Sequence, residues 1–124
     1  MNRADFDESR VDYDMIAGDE LEMHETCYEE DGETLLDLTA ATITTVVEFS
    51  SVTGGGDVTK TNGSGVTIVD VNGQFKTLLD STDSEGLTIA DGEYPKVYYQ
   101  HQIINNNGSV TSFDGYITVT RDLA

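Results

Sequence analysis

The sequence predicts a single all-β domain of the sandwich type. Apolar and polar residues alternate with a period of two in several short segments, which is typical of half-buried strands. Residues that favour turns lie between these segments. The chain has 124 residues, close to the commonest size of one domain, so a second core is not expected. Six or seven short strands separated by turns indicate a sandwich or a barrel.

Each predicted strand is taken from its own alternation or its β-branched content. In the first of them Val11, Tyr13 and Met15 alternate with aspartates. The predicted strands are Val11–Met15, Glu20–Glu29, Thr42–Phe49, Val66–Val71, Gln74–Leu79, Glu93–Ile104 and Val110–Thr120. The turns between them are predicted at Asp31-Gly32, Gly54-Gly55-Gly56, Asn62-Gly63-Ser64-Gly65, Asn72-Gly73, Asp91-Gly92 and Asn105-Asn106-Asn107-Gly108.

Two segments allow a more specific prediction. Asn72-Gly73 predicts a tight hairpin of type I′, because that turn needs two residues at positive φ. Leu78–Leu87 is the one segment where a helix is considered. Asp80, Ser81 or Asp83 could cap a single turn there, and Gly86 would end it early.

The predicted core consists of apolar residues that alternate within these strands or directly precede them. It comprises Leu21, Met23, Cys27, Leu38, Ile43, Val47, Phe49, Phe75, Tyr94, Ile117 and Val119.

The net charge narrows the possible partners. The chain has 24 acidic residues against 6 lysines and arginines, a formal net charge of −18. Residues 1–31 hold 12 acids and 2 arginines, net −10, so a quarter of the chain carries over half of the charge. We therefore expect neither nucleic acid nor an anionic membrane as a partner. Two interpretations of the acidity remain open: an acidic arm for a basic partner, or a solvated surface suited to salty water.

Cysteine content and hydropathy further limit the class of protein to which the chain can belong. Cys27 is the only cysteine, so we expect no disulfide within the chain and no thiolate metal site. No apolar run is long enough to span a membrane. The first ten residues have no apolar core like that of a secretory signal, so we expect none there.

The order of the short motifs resembles a module of tailed viruses. Gly18-Asp19, an alternating strand, Asp31-Gly32 and Asp37-Leu38-Thr39-Ala40-Ala41 come first. The motifs Gly73-Gln74-Phe75, Asp91-Gly92-Glu93-Tyr94 and Gly115-Tyr116-Ile117-Thr118-Val119 follow. Over about residues 18–120 this order resembles the immunoglobulin-like N-terminal domain of phage baseplate upper proteins and related small tail and neck proteins.

The resemblance implies an immunoglobulin-like sandwich of about seven antiparallel strands over residues 18–124, preceded by an acidic arm over residues 1–17. It also implies a non-enzymatic virion component in many copies, docked on a symmetric ring of other virion proteins. Gly92-x-Tyr94 resembles the tyrosine corner of such sandwiches. Pro95 departs from the pattern and requires a bulge or an edge at the start of its strand. Glu25 departs as well, since it falls on the apolar face.

Residues that could carry chemistry have simpler interpretations. His24 and His101 lack a second histidine at metal-binding spacing, so we expect strand residues on the surface or in hydrogen bonds. Cys27 alternates with Leu21 and Met23, which indicates core. The remaining candidate is calcium at Asp80, Asp83 and Glu85, in an oxygen-rich loop. Because the spacing is not that of an EF-hand, we favour a turn.

Three functions remain for comparison, and no catalytic residue is assigned. The leading one is a structural protein of the tail, baseplate or neck of a virus particle. The second is a capsid decoration protein. The third is a carbohydrate-binding module that uses exposed tyrosines. Tyr98 and Tyr99 are neighbours in one strand and must face opposite sides, so at least one belongs to the core.

The acidic arm is the predicted docking element. Phe6, Val11, Tyr13 and Met15 give it apolar groups that a purely solvated tail would not need. They suit an extended strand that adds to a sheet. That sheet could belong to a neighbouring protein or, for residues 11–16, to the domain itself.

Overall fold

The computed structural model describes residues 12–122, and within them the chain is almost entirely β-structure. Eight strands are present there, together with one turn of 3₁₀ helix at Phe49–Ser51 and one short α-helix, α1, at Ser81–Ser84. The strands are β1 (Tyr13–Ile16), β2 (Leu21–Thr26), β3 (Thr42–Val47), β4 (Val58–Asn62), β5 (Gly65–Asp70), β6 (Gln74–Leu79), β7 (Lys96–Ile104) and β8 (Val110–Thr120). The all-β prediction is confirmed.

The strands form one hydrogen-bonded sheet in the order β1-β8-β7-β3-β4-β5-β6-β2. The sheet curls over its own core, because side chains of β2 and β6 contact side chains of β7 and β3 across the interior. One half of the sandwich therefore contains β8, β7, β3 and β4, and the other contains β5, β6 and β2. This arrangement corresponds to the G-F-C-C′ and D-E-B strand sets of a variable-type immunoglobulin domain.

Two pairings depart from the predicted antiparallel pattern. β1 lies parallel to β8, with Tyr13 opposite Ile117 and Ile16 opposite Thr120. β4 and β5 are joined by a short parallel pairing that involves only Thr61 and Asn62 on β4. This second pairing links the two halves at one edge, so the sandwich is nearly a barrel.

The β5–β6 hairpin forms where the sequence predicts it, but with a different turn. Asp70 pairs with Gln74, after a register shift between Ile68 and Asp70. The loop thus has three residues, 71–73, and among them only Gly73 has positive φ, at +84°. A three-residue loop with a left-handed glycine at its end and an adjacent bulge is the common alternative to type I′.

Most of the predicted core is confirmed. Nine of the eleven predicted side chains are buried and Leu21 is half-buried, since it lies at the start of edge strand β2. Tyr94 is the exception, with 64% of its surface exposed. It lies in the turn before β7, which begins at Lys96, directly after Pro95. The predicted tyrosine corner at Tyr94 is therefore wrong, because the residue precedes the strand instead of pointing into the sandwich.

The N-terminal boundary also differs from the predicted one. Tyr13–Ile16 pairs with β8, and Ala17 N–H donates to the Thr120 carbonyl at 2.9 Å. Residues 13–17 thus belong to the folded domain and not to a separate arm. Residues 1–11 lie outside the described part of the chain, and so do the predicted docking residues Phe6 and Val11.

Candidate functional site

A chain of hydrogen bonds between polar side chains crosses the middle of the core. Glu25 of β2, Thr45 of β3, Thr77 of β6 and His101 of β7 are all buried. His101 Nε2 lies 3.0 Å from Glu25 Oε2, and His101 Nδ1 lies 2.6 Å from Thr45 Oγ1. Thr45 Oγ1 lies 2.9 Å from Thr77 Oγ1. These four residues, here called the core polar chain, connect the two halves of the sandwich.

Strand alternation puts these side chains in the interior. Glu25 follows Met23 on the buried face of β2, and His101 lies between Tyr99 and Ile103 on the buried face of β7. Burying a polar group without a partner costs free energy, so such groups are kept only where partners reach them. All four find partners within the core polar chain.

The aromatic side chains around His101 isolate it from water. Phe75, Tyr99 and Phe113 have ring centroids 5.0 to 5.1 Å from the imidazole. The Phe75 ring is almost perpendicular to the imidazole, at 88°. Such contacts fix the imidazole plane and therefore the direction of both its hydrogen bonds.

Tyr13 joins the carboxylate end of the core polar chain. Its hydroxyl lies 2.8 Å from Glu25 Oε2 and 3.1 Å from the His24 carbonyl. Desolvation is the largest cause that raises the pKa of Tyr13 above its usual range, followed by the charge of Glu25. The phenol therefore stays protonated and can donate to the carboxylate. The side chain also bridges the two edge strands, β1 and β2.

The following assignment of protons gives every residue of the core polar chain a hydrogen-bond partner. The imidazole Nε2–H donates to Glu25, and Nδ1 accepts the Thr45 hydroxyl. Thr45 then accepts the Thr77 hydroxyl. Among the buried side-chain atoms of residues 12–122, only Asn105 Oδ1 has no hydrogen-bond partner. The core polar chain is thus a complete network, which rigidifies a core instead of weakening it.

The order carboxylate, imidazole, hydroxyl is also the order of a nucleophilic triad. A nucleophile must contact its substrate, however, and Thr45 and His101 are both 0% exposed. An open depression of about 170 Å³ adjoins Glu25 and is lined by His24, Thr26, Val69, Gln74 and Phe75. It does not include Thr45 or His101. In this closed core the three groups can hold the two halves together, but they cannot reach a substrate.

The Glu25–His101 pair also links two strands on opposite sides of the core. In antibody domains the strands equivalent to β2 and β7 are linked by a disulfide across the core. Here a hydrogen-bonded carboxylate and imidazole join the same two strands. The sequence predicts Glu25 as an acid on an apolar face. It does not identify the partner, His101, which is 76 positions away in the chain.

The other predicted site residues have structural positions. Met15 is buried in the core of its own domain, and Tyr13 packs against that core. For these two residues the structure shows pairing within the domain's own sheet, which was one of the two arrangements predicted. Their side chains are not free to fill a partner's pockets in this conformation. Cys27 is buried, as predicted, and burial raises the pKa of its thiol to about 12.

A lysine of β4 contacts the loop in which calcium was considered. Asp80 is the N-cap of α1 and forms a reciprocal capping box with Asp83. Lys60 Nζ lies 3.0 Å from the Asp83 carboxylate and 3.9 Å from Asp80. Within residues 12–122, no cluster of three or more acidic, histidine or cysteine side chains is arranged to hold a metal ion. This geometry favours the predicted turn and helix start.

The tyrosine pair of β7 divides as predicted. Tyr99 is fully buried, whereas Tyr98 lies on the outer face of the sheet. Tyr98 contacts Tyr116 edge to face, with ring centroids 5.9 Å apart, and its hydroxyl donates to Asp114 at 2.8 Å.

His24 lies at the surface, where its Nε2 is 3.0 Å from Glu22 Oε1. No helix of the described chain is long and apolar enough to cross a membrane.

The fold and this site define an immunoglobulin-type sandwich with a sealed polar core. In comparisons with known proteins, no family model matches the chain, and no curated protein matches it either.

Proposed function

We propose that this protein is a non-enzymatic structural component of a tailed virus particle, in the tail, baseplate or neck, present in many copies that dock on other virion proteins. The observation that supports a non-enzymatic role is the sealed core. Glu25, His101 and Thr45 form a triad-like constellation, and no substrate can reach Thr45 or His101, which are both 0% exposed. Binding through the surface is the function that such a rigid domain supports.

The assignment to a virus particle rests on the resemblance described above. In the structure several of its motifs lie at turns with positive φ, whereas Gly115–Val119 lies within β8. Gly18, Gly32 and Gly92 all have positive φ, and so does Ala40, at +55°. Asp37 accepts the Thr39 N–H at 2.9 Å, just before that strained position. The motif residues therefore define the loop shapes of the sandwich, which is the part that such proteins would share.

A labelling experiment tests this proposal. An antibody against the purified domain is applied to virus particles from the cells that produce the protein. Gold label at the tail, baseplate or neck supports the proposal. Label distributed over the capsid shell supports the alternative of a decoration protein. If the protein is absent from purified particles, the virion assignment is overturned.

A carbohydrate-binding role is the second candidate, favoured by the exposed Tyr116 next to Tyr98 and Asp114. An aromatic pair offers contact area to a sugar ring, and the neighbouring carboxylate can accept hydrogen bonds from its hydroxyl groups. The two rings are inclined by 66°, so they do not form one flat platform. Glycan-array binding that is lost in Tyr116→Ala would favour this role over the structural one.

A further inference from the structure

The acidic hairpin, defined as Cys27–Leu36, follows β2 and lies beside the β5–β6 turn, at what we call the loop end of the sandwich. Its backbone is paired by hydrogen bonds from Leu36 N–H to the Cys27 carbonyl at 2.9 Å and from Glu29 N–H to the Thr34 carbonyl at 2.7 Å. Asp31 accepts the backbone N–H groups of Glu33 and Thr34 and fixes the tip. The hairpin is thus an ordered element and not a loose loop.

Large apolar side chains are exposed on this hairpin and beside it. Tyr28 and Leu35 face each other across the hairpin bridge and are 45% and 40% exposed. Leu35 packs over the β5–β6 turn, because a Cβ on Gly73 would lie 3.3 Å from Leu35 Cδ2. Val69 and Val71 belong to the β5–β6 hairpin, whose turn Leu35 covers, and they are 55% and 48% exposed. We call these four exposed side chains of the two adjacent hairpins, Tyr28, Leu35, Val69 and Val71, the loop-end patch.

An exposed cluster of apolar side chains with a polar rim is a common sign of an interaction surface. Val69 of the patch also lines the open depression beside Glu25. A pocket next to rigid aromatic and aliphatic groups suits an anchoring side chain of a partner. The surface therefore offers both a contact area and a recess.

The acidic residues around the loop-end patch indicate which class of partner it can bind. The acidic hairpin contains four acids and neither lysine nor arginine, and Asp37 and Asp70 lie at its base. A second copy of this chain, which also carries a net charge of −18, would be repelled. Nucleic acid and anionic lipid are disfavoured for the same reason. A basic protein segment is the class whose charge is complementary.

We propose that the loop-end patch docks a basic segment of another protein, which places lysines or arginines against the acidic hairpin and an apolar side chain on Tyr28 and Leu35. This proposal rests on the proposed function only in taking the protein as a docking component. It adds the surface and the chemistry of the partner. The surface is distinct from the N-terminal residues that the sequence predicts as a docking arm.

Peptide binding to the full-length chain tests the proposal. The probe is a short fluorescein-labelled peptide of lysine and leucine, and its companion is a peptide of lysine and serine with equal charge. We expect the lysine–leucine peptide to bind more tightly, as measured by fluorescence anisotropy. The double variant Tyr28→Ala/Leu35→Ala should weaken its binding at least about tenfold, because anchor residues of this kind dominate binding energy.

Ile16→Ala is the matched control. Ile16 is 45% exposed, like Tyr28, and it ends β1 opposite Thr120, the last residue of β8, so the substitution should leave binding unchanged. Glu29→Lys/Glu33→Lys should weaken binding most at low salt, where charges are least screened. Circular dichroism verifies that every variant is folded, which is expected for exposed positions.

Three results would overturn the proposal. The first is equal affinity for the two peptides, which would show only non-specific attraction to an acidic protein. The second is equal weakening by Ile16→Ala. The third is self-association of the chain that Tyr28→Ala/Leu35→Ala abolishes, since the patch would then bind a second copy. Because the assay uses no virus particles, its failure is distinguishable from failure of the virion assignment.

Discussion

Replacing His101 with leucine tests whether the core polar chain acts as one unit. The substitution keeps an apolar side chain of similar bulk among Phe75, Tyr99 and Phe113. It removes one of the two hydrogen-bond partners of the Glu25 carboxylate, which is only 5% exposed and keeps Tyr13, and it removes the acceptor of the Thr45 hydroxyl. Losing a hydrogen bond to a buried charged group in this way costs about 1.5–3 kcal/mol. That is a large part of the roughly 5–15 kcal/mol that stabilises a typical domain.

The double variant Glu25→Leu/His101→Leu distinguishes a pair effect from loss of the ring. Replacing both partners by apolar residues is often neutral or stabilising, because no charge is left buried without a partner. Glu25→Leu alone should cost about 1–3 kcal/mol, since the imidazole N–H loses its acceptor. We expect the double variant to be more stable than His101→Leu and far more stable than the sum of the single changes predicts.

Urea unfolding followed by circular dichroism measures these differences, since the chain has no tryptophan. If the two single costs simply add in the double variant, the reasoning about the pair is refuted. Should His101→Leu fail to fold, Thr77→Val is the milder test. It removes one hydrogen bond from Thr45 while that hydroxyl keeps His101, so it should cost about 1 kcal/mol.

Three further predictions follow from single positions. Tyr94→Phe should change the free energy of unfolding by less than about 0.5 kcal/mol in urea unfolding, because the side chain is exposed. Gly55→Ala should strongly lower the melting temperature, since its Cβ would lie 2.1 Å from the Phe49 carbonyl oxygen, whereas Gly56→Ala has open space and should not. The Cys27 thiol should react with a thiol reagent only after unfolding, because burial raises its pKa to about 12.

The Cys27 thiol also makes stability depend on pH. Its pKa is raised in the folded protein, so the folded state holds the thiol proton more tightly than the unfolded state. Its stabilising effect is full below the ordinary thiol pKa of about 9 and is lost as the pH rises towards about 12. The slope is at most about 1.4 kcal/mol per pH unit. Cys27→Ala should flatten this decline, and an unchanged slope would contradict the assignment.

Local sequence patterns predicted much of the fold. β6 and β8 have the predicted bounds, Gln74–Leu79 and Val110–Thr120. The helix was expected only as a single capped turn, and α1 is such a turn, with Asp80 as its cap. Alternation with period two and turn chemistry depend on neighbours in the chain, so they can be read without knowledge of the tertiary structure.

The candidate sites were predicted less well. Glu25 and His101 were each noticed in the sequence, one as an acid on an apolar face and the other as a histidine without a metal-binding partner. Their contact depends on the curling of the sheet, which no local pattern encodes. Tyr28 and Leu35 look like ordinary residues of a polar segment. Their exposure depends on how the acidic hairpin lies beside the β5–β6 turn.

By itself the sequence determined the fold class, most strand positions, the acidic surface and the burial of Cys27, because each follows from composition or from short-range alternation. Only the tertiary structure decided that Tyr94 lies outside the core and that β1 pairs with β8. It also decided that Glu25 meets His101 across the core. These outcomes depend on which strands become neighbours. Strand neighbours are set by the packing of the whole chain, where distant side chains must share one interior.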